Sequence, residues 1–122
     1  MPNLNLFDRI SESVAFIRQN SEMMPTYGIV LGTGLGNSIQ SLDVVSSLQY
    51  SEIPHFPKST VEGHQGKLLI GKWHNIDIVV LAGRFHYYEG YEMEEVTYGI
   101  RVLKFLGIQN IILTNVAGGL NS

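Results

Sequence analysis

Arg84 and His86 stand two residues apart in Gly83–Tyr91 (Gly-Arg-Phe-His-Tyr-Tyr-Glu-Gly-Tyr), directly after the apolar run Ile76–Ala82. Alternate residues of an extended segment share a face, so the two side chains are expected to point the same way, roughly 7 Å apart at the backbone. A guanidinium forks onto two oxygens while an imidazole donates or exchanges a proton, and the pair suits a tetrahedral oxyanion. Tyr88 shares their alternation, whereas Phe85 and Tyr87 face the other side and can pack. Glu89 is placed either to hold the histidine or to offset the local positive charge. The plainer alternative is a surface loop whose Arg and His are merely solvated; the position after a buried strand weighs against it.

Two further clusters follow apolar runs in the same way. Gly32-Thr33-Gly34-Leu35-Gly36 comes after Tyr27–Leu31, and its backbone N–H groups and the Thr33 hydroxyl can meet an anion. It is not the dinucleotide fingerprint, because the third glycine falls one position early and Asn37 occupies the required slot. A simple strand-to-helix turn is the competing reading. Asn115-Val116-Ala117-Gly118-Gly119 comes after Ile111–Thr114 and offers small side chains and backbone amides to a flat ligand or a phosphate, or else a left-handed turn. His64, in Glu62-Gly63-His64-Gln65-Gly66, lies in a loop whose glycines imply close approach to a ligand or to another segment. His55 reads as a packing or loop residue, and His74 as an exposed turn residue. The four histidines have no metal-binding spacing and no carboxylate cluster, so no metal site is expected.

The bulk properties narrow the function classes. The chain has 122 residues, enough for one domain, with 44% hydrophobic and 16% charged residues. A formal net charge of −3 with scattered Lys and Arg argues against a nucleic-acid or membrane-surface binder. The absence of cysteine excludes a disulfide framework, a thiolate metal site and a Cys nucleophile. No transmembrane stretch and no signal pattern is present, so a cytoplasmic location is the default expectation.

The elements that would position these clusters are legible from periodicity. Phe7, Ile10, Val14 and Ile17 predict an amphipathic helix from Leu4 to about Asn20. Strands are expected at Tyr27–Leu31, Val44–Tyr50, Lys67–Trp73, Ile76–Ala82 and Asn110–Thr114, with a short helix possible over Gly36–Leu42 and no regular element over Ser51–Gly66. His74-Asn75 makes the third and fourth strands a hairpin. Glu92, Glu94 and Glu95 open a second helix that runs to about Leu106, with Val96, Ile100, Leu103 and Leu106 near one face and Gly107 as its left-handed cap. Apolar residues on both faces of the strands imply an α/β sheet covered on both sides, and ligands on such sheets sit beyond the carboxyl ends of the strands.

Four stretches, GTGLG (Gly32–Gly36), FPKSTVEGHQG (Phe56–Gly66), RFHYYEGY (Arg84–Tyr91) and TNVAGGLN (Thr114–Asn121), resemble in order and spacing the trimeric type of the purine nucleoside phosphorylase family. The resemblance spans nearly the whole chain. It implies a mixed-sheet α/β nucleoside phosphorylase fold with helices on both faces. It also implies a pentosyltransferase of purine salvage that converts a purine (deoxy)ribonucleoside and phosphate to free base and (deoxy)ribose 1-phosphate, without metal or organic cofactor. By matching position, Thr33, His64, Arg84, His86 and the Val116 amide would bind phosphate. Tyr88 would contact the ribose, Ala117 and Gly118 would line the nucleoside pocket, and His86 and Glu89 would serve catalysis. Members of the family run to roughly twice this length, well beyond one small domain. Residues 1–122 are therefore read as a single, incomplete domain of a homotrimeric enzyme, carrying much of the phosphate site and lacking the C-terminal half with the purine site. The alternative is a non-catalytic phosphate- or nucleotide-binding chain or a remnant polypeptide. An incomplete sheet would also leave an unpaired edge and exposed apolar surface.

Overall fold

The computed structural model describes residues 5–31, 41–56, 66–82 and 92–113, with only the helical backbone described over 92–96. The first helix, α1, spans Leu6–Gln19. It begins where the Asn5 side chain accepts a hydrogen bond from the Asp8 N–H at 2.8 Å, satisfying one of the donors that every helix start leaves open. Ile10, Val14 and Ile17 face inward as the periodicity requires, together with Ser13. Phe7 departs from that expectation: it is 60% exposed, one turn too near the helix start to reach the sheet. Its ring instead meets the edge of Phe105, centroids 5.5 Å apart.

Five strands follow: β1 (Tyr27–Leu31), β2 (Asp43–Gln49), β3 (Lys67–Trp73), β4 (Ile76–Ala82) and β5 (Asn110–Leu113). They form one mixed sheet in the order β2-β3-β4-β1-β5, parallel where β1 meets β4 and β5, antiparallel where β3 meets β2 and β4. The β3–β4 hairpin has the predicted bounds and the predicted turn. His74 and Asn75 have φ of 53° and 67°, the pair of left-handed conformations that a two-residue loop needs to match strand twist. Strand β2 stops one residue before its expected end, because Tyr50 opens a short 3-10 turn, Tyr50–Glu52.

The second helix, α2, spans Glu92–Phe105. It ends as the sequence indicated, with Gly107 at φ 100°. The Gly107 N–H donates to the Lys104 carbonyl at 3.0 Å and the Ile108 N–H to the Leu103 carbonyl at 3.1 Å, which is the double bond pattern of a glycine-terminated helix. The Arg18 guanidinium reaches across from α1 to the Phe105 carbonyl at 3.2 Å, adding a positive charge at the negative end of α2.

Both described helices lie on one face of the sheet. Val30, Leu68, Ile70, Val79 and Leu81 point into a core shared with α1 and with Tyr98, Val102 and Leu103 of α2. Alternation sends Ile29, Leu31, Ile78 and Val80 to the opposite face, where Leu42, Leu69 and Trp73 pack against them. The buried seam of α2 is thus Tyr98, Val102 and Leu103, with Ile100 and Leu106 at its margin. Strands β1 and β4 are buried on both faces as expected, but β5 is not. It forms one edge of the five-stranded sheet, and Ile112 and Leu113 are 50% and 58% exposed.

Candidate active site

Register places the strand ends that flank the chemistry-bearing segments side by side. Leu31, the last residue of β1, lies opposite Ala82, the last of β4. Leu113, the last of β5, is one step from that level, since its partner in β1 is Val30. Strand β3 runs the other way and begins with Lys67 opposite Ala82. Segments 32–40, 83–91 and 114–122 therefore leave the sheet from one edge, and segment 57–65 returns to it there through Gly66. This is the carboxyl edge of the parallel strands, the usual location of ligand sites on such sheets. Thr33, His64, Arg84, His86, Tyr88, Glu89, Val116, Ala117 and Gly118, and the helix expected over Gly36–Leu42, fall outside the described residues, as does the Val96 side chain. What the fold brings together is the set of attachment points.

Of these attachment points, the Gly66 end lies against a buried polar and aromatic knot. Ser13 on α1 is fully buried, and its hydroxyl donates to the Pro54 carbonyl at 2.5 Å. With that hydrogen committed, the Tyr98 hydroxyl of α2 is the donor in the 2.7 Å bond between the two side chains. One serine thus ties α1 to the loop before segment 57–65 and to the helix after segment 83–91. The Phe56 ring packs between Tyr98 and Tyr50, with centroids 5.8 and 4.9 Å away. The Tyr50 N–H donates to the Gly66 carbonyl at 3.0 Å. Beside this knot, His55 adopts φ 65° and its ring meets Glu12 of α1 at 2.6 Å. His55 is accordingly a loop residue that fastens the loop to α1, as read from the sequence.

Burial dominates the electrostatics of the knot. It pushes the Tyr50 phenol far above its ordinary range. It also raises Tyr98, with the Ser13 hydroxyl and the Arg9 charge drawing that group part of the way back and Glu12 adding to the rise. Among the described residues, no group of three or more His, Asp or Glu side chains could hold a metal ion. His74 sits exposed at the hairpin tip. No helix among the described residues is long and apolar enough to cross a membrane.

Sequence reasoning missed Ser13, Tyr50 and Tyr98 as organisers of this edge. The available signal was Gly66, which implied close approach to a ligand or another segment. The neighbour is the Tyr50 ring, into which a Cβ on Gly66 would run.

Comparison with known proteins gives the family. The Phosphorylase superfamily model matches residues 26–122. Purine nucleoside phosphorylase 1 of Bacillus subtilis is 47% identical over 115 residues, covering 94% of this chain and 42% of that protein. The crystal structure of isoform 2 of purine nucleoside phosphorylase from Schistosoma mansoni, in complex with cytosine and ribose-1-phosphate, superposes with a TM-score of 0.83 at 40% identity, covering 94% of this chain and 40% of that one. A Schistosoma mansoni purine nucleoside phosphorylase in complex with inosine gives 0.78 at 33% identity, over 97% and 41%. The chain thus spans about two fifths of the length of these relatives. With a family match that runs from just before β1 through all five strands and α2, the chain belongs to the phosphorylase superfamily.

Proposed function

We propose that this chain is the phosphate-side portion of a purine nucleoside phosphorylase, a pentosyltransferase of purine salvage. The observation that carries the reading is the convergence of four motif-bearing segments on one sheet edge, through Leu31, Gly66, Ala82 and Leu113. The relatives support it, because the solved structures include complexes with ribose-1-phosphate and with inosine, a product and a substrate of such a reaction. Residues 1–122 form one part of a larger domain, whose remainder supplies the purine pocket.

The chemistry follows from the residue types. Thr33, His64, Arg84, His86 and the Val116 amide hold phosphate, and Tyr88 contacts the sugar. Ala117 and Gly118 line the nucleoside pocket, while Glu89 supports the phosphate-side network with His86. A phosphate oxygen forms a bond to C1′ as the bond from C1′ to the purine nitrogen breaks, and the bonding pair leaves with the base. Fixed phosphate on the opposite face stabilises the positive charge that develops on the sugar. Phosphate is the nucleophile and no metal or organic cofactor takes part. The active form is a cytoplasmic homotrimer.

Phosphorolysis of inosine by the full-length enzyme tests the assignment. Arg84→Ala and His86→Ala are each expected to abolish most of the activity, and unchanged rates in both variants would overturn it. The short span of the chain favours a second reading for residues 1–122 alone, phosphate binding without turnover. Calorimetry with phosphate and with inosine separates the two: phosphate binding without inosine binding marks the isolated chain as a binding module.

A further inference from the structure

We infer that the β5 edge is a docking seam for the remainder of the phosphorylase domain, and that it accepts that remainder as a separate polypeptide as well as a covalent continuation. The inference rests on the reading of residues 1–122 as one part of such a domain. Among the described residues, β5 pairs with β1 alone. The strand, Asn110-Ile111-Ile112-Leu113, carries no charge, no proline and no bulge in its register with β1. Those are the usual devices that keep a sheet edge from pairing. The opposite edge has one of them. The register of β2 against β3 shifts between Val44 and Ser46, and Gly71 of β3 leaves room there for the Asp43 carbonyl, into which a Cβ would run. A bulge of this kind bends and twists its strand away from a newcomer. The sheet is therefore blunted at β2 and open at β5.

The kind of partner follows from the faces that the edge residues occupy. Leu113 lies opposite Val30, which enters the core shared with the helices, and Ile112 lies opposite Ile29, which belongs to the other face. Residues paired in register share a face, so Ile112 and Leu113 mark the two faces of the sheet at its edge. Ile29 and Val30 are buried, whereas Ile112 and Leu113 stand half open. Burial thus stops on both faces within one strand. A lone peptide strand would pair with the β5 backbone but leave both side chains only partly covered. The partner that fits brings a strand together with apolar cover above and below it, an α/β layer that continues the sheet. A second copy of this chain is a poorer occupant. The strand is four residues long, and stable complexes bury about 1,200–2,000 Å². Because the chain spans about two fifths of the length of its relatives, the remainder of the domain is larger than the chain itself and supplies that cover.

Co-expression tests the seam. The 122-residue chain is produced together with the part of the Bacillus subtilis phosphorylase that lies outside its match, as a separate tagged polypeptide. A complex of the two is expected on affinity capture and size exclusion. Ile112→Lys and Leu113→Lys should each weaken it at least about tenfold, while Val45→Lys on the blunted edge leaves it unchanged. No complex, or one indifferent to the β5 variants, would overturn the seam. So would a homodimer of the chain alone that Ile112→Lys disperses. Should the second polypeptide prove insoluble, urea denaturation of Ile112→Lys decides, measured in the isolated chain and in the full-length enzyme. The midpoint should fall at least about twice as far in the full-length enzyme, where the lysine is buried without a partner. Equal shifts would overturn the seam. Inosine phosphorolysis by the full-length enzyme keeps the two readings apart. If the complex forms through β5 and that enzyme is inactive, the phosphorylase reading fails and the seam stands; if the enzyme is active and no complex forms, the seam alone falls.

Discussion

Leu31 and Ala82 stand opposite each other as the last residues of two parallel neighbours, β1 and β4. That pairing sets segments 32–40 and 83–91 going from the same level of one sheet edge. Strand β1 lies between β4 and β5, and core side chains approach it closely at Gly28. There, a Cβ would come within 3.2 Å of Ile108 and 3.3 Å of Leu103, both core residues at the end of α2.

Gly28 therefore controls how closely α2 approaches the sheet. Gly28→Val would force the helix terminus outward, and overpacking of this kind costs about 1–3 kcal/mol. Chemical denaturation should show a lower midpoint with an unchanged slope. Gly28→Ala, whose single added carbon needs its neighbours to give by only a few tenths of an ångström, should show a smaller loss. A valine variant as stable as the parent would mean that Leu103 and Ile108 repack freely.

Gly107 presents a different constraint. Nothing lies within 4 Å of a Cβ built there, but its φ is 100°. The cost of replacing it is thus backbone strain, about 1–2 kcal/mol for an ordinary L-residue in a left-handed conformation. Gly107→Ala should lower stability by that amount, and Gly107→Asn by less, since Asn tolerates this region better. Equal effects of the two substitutions would mean that left-handed backbone strain does not set the cost.

The difference between what the sequence showed and what it hid follows the range of the interactions. The β3–β4 hairpin and the α2 cap were legible to the residue because alternation, His74-Asn75 and Gly107 act over a few positions. An unpaired apolar edge was expected of an incomplete sheet, but not its place at β5, since Ile111–Leu113 is as apolar as the buried β1 and only the non-local sheet order distinguishes them. Ser13 shares the Ile10–Ile17 face of α1, and nothing near it in sequence marks a role. Its role depends on Tyr98, 85 positions away. The four motif segments were legible as motifs, and the fold contributes the fact that their flanking strand ends share one edge.

The Ser13–Tyr98 bond yields a double-mutant test. Each group is buried, and Ser13 also satisfies the Pro54 carbonyl. Ser13→Ala removes both bonds and leaves the Tyr98 hydroxyl and the Pro54 carbonyl short of a partner, a loss of about 1–3 kcal/mol. Tyr98→Phe removes a single donor and should cost about 1 kcal/mol. The double variant should lose less than the sum of the two, because the second substitution breaks a bond already gone. Strict additivity, measured by urea denaturation, would show that the two hydroxyls contribute independently.

Alkaline stability reports on the same knot through a different property. Burial raises both the Tyr50 and Tyr98 phenols above the ordinary tyrosine value, so each ionises more readily in the unfolded chain than in the folded one. Their contribution is fully present below the unfolded value of about 10 and is lost as the pH rises above it toward the folded values. Each phenol that stays protonated only when folded steepens the decline by about 1.4 kcal/mol per pH unit. Denaturation midpoints should be level in these groups from about pH 8 to 9.5 and fall steeply by about pH 11. Tyr50→Phe should flatten that fall, since phenylalanine has no proton to lose. Coincident alkaline limbs for the parent and Tyr50→Phe would mean that Tyr50 ionises equally well in both states, in conflict with its burial beneath Phe56 and Gly66.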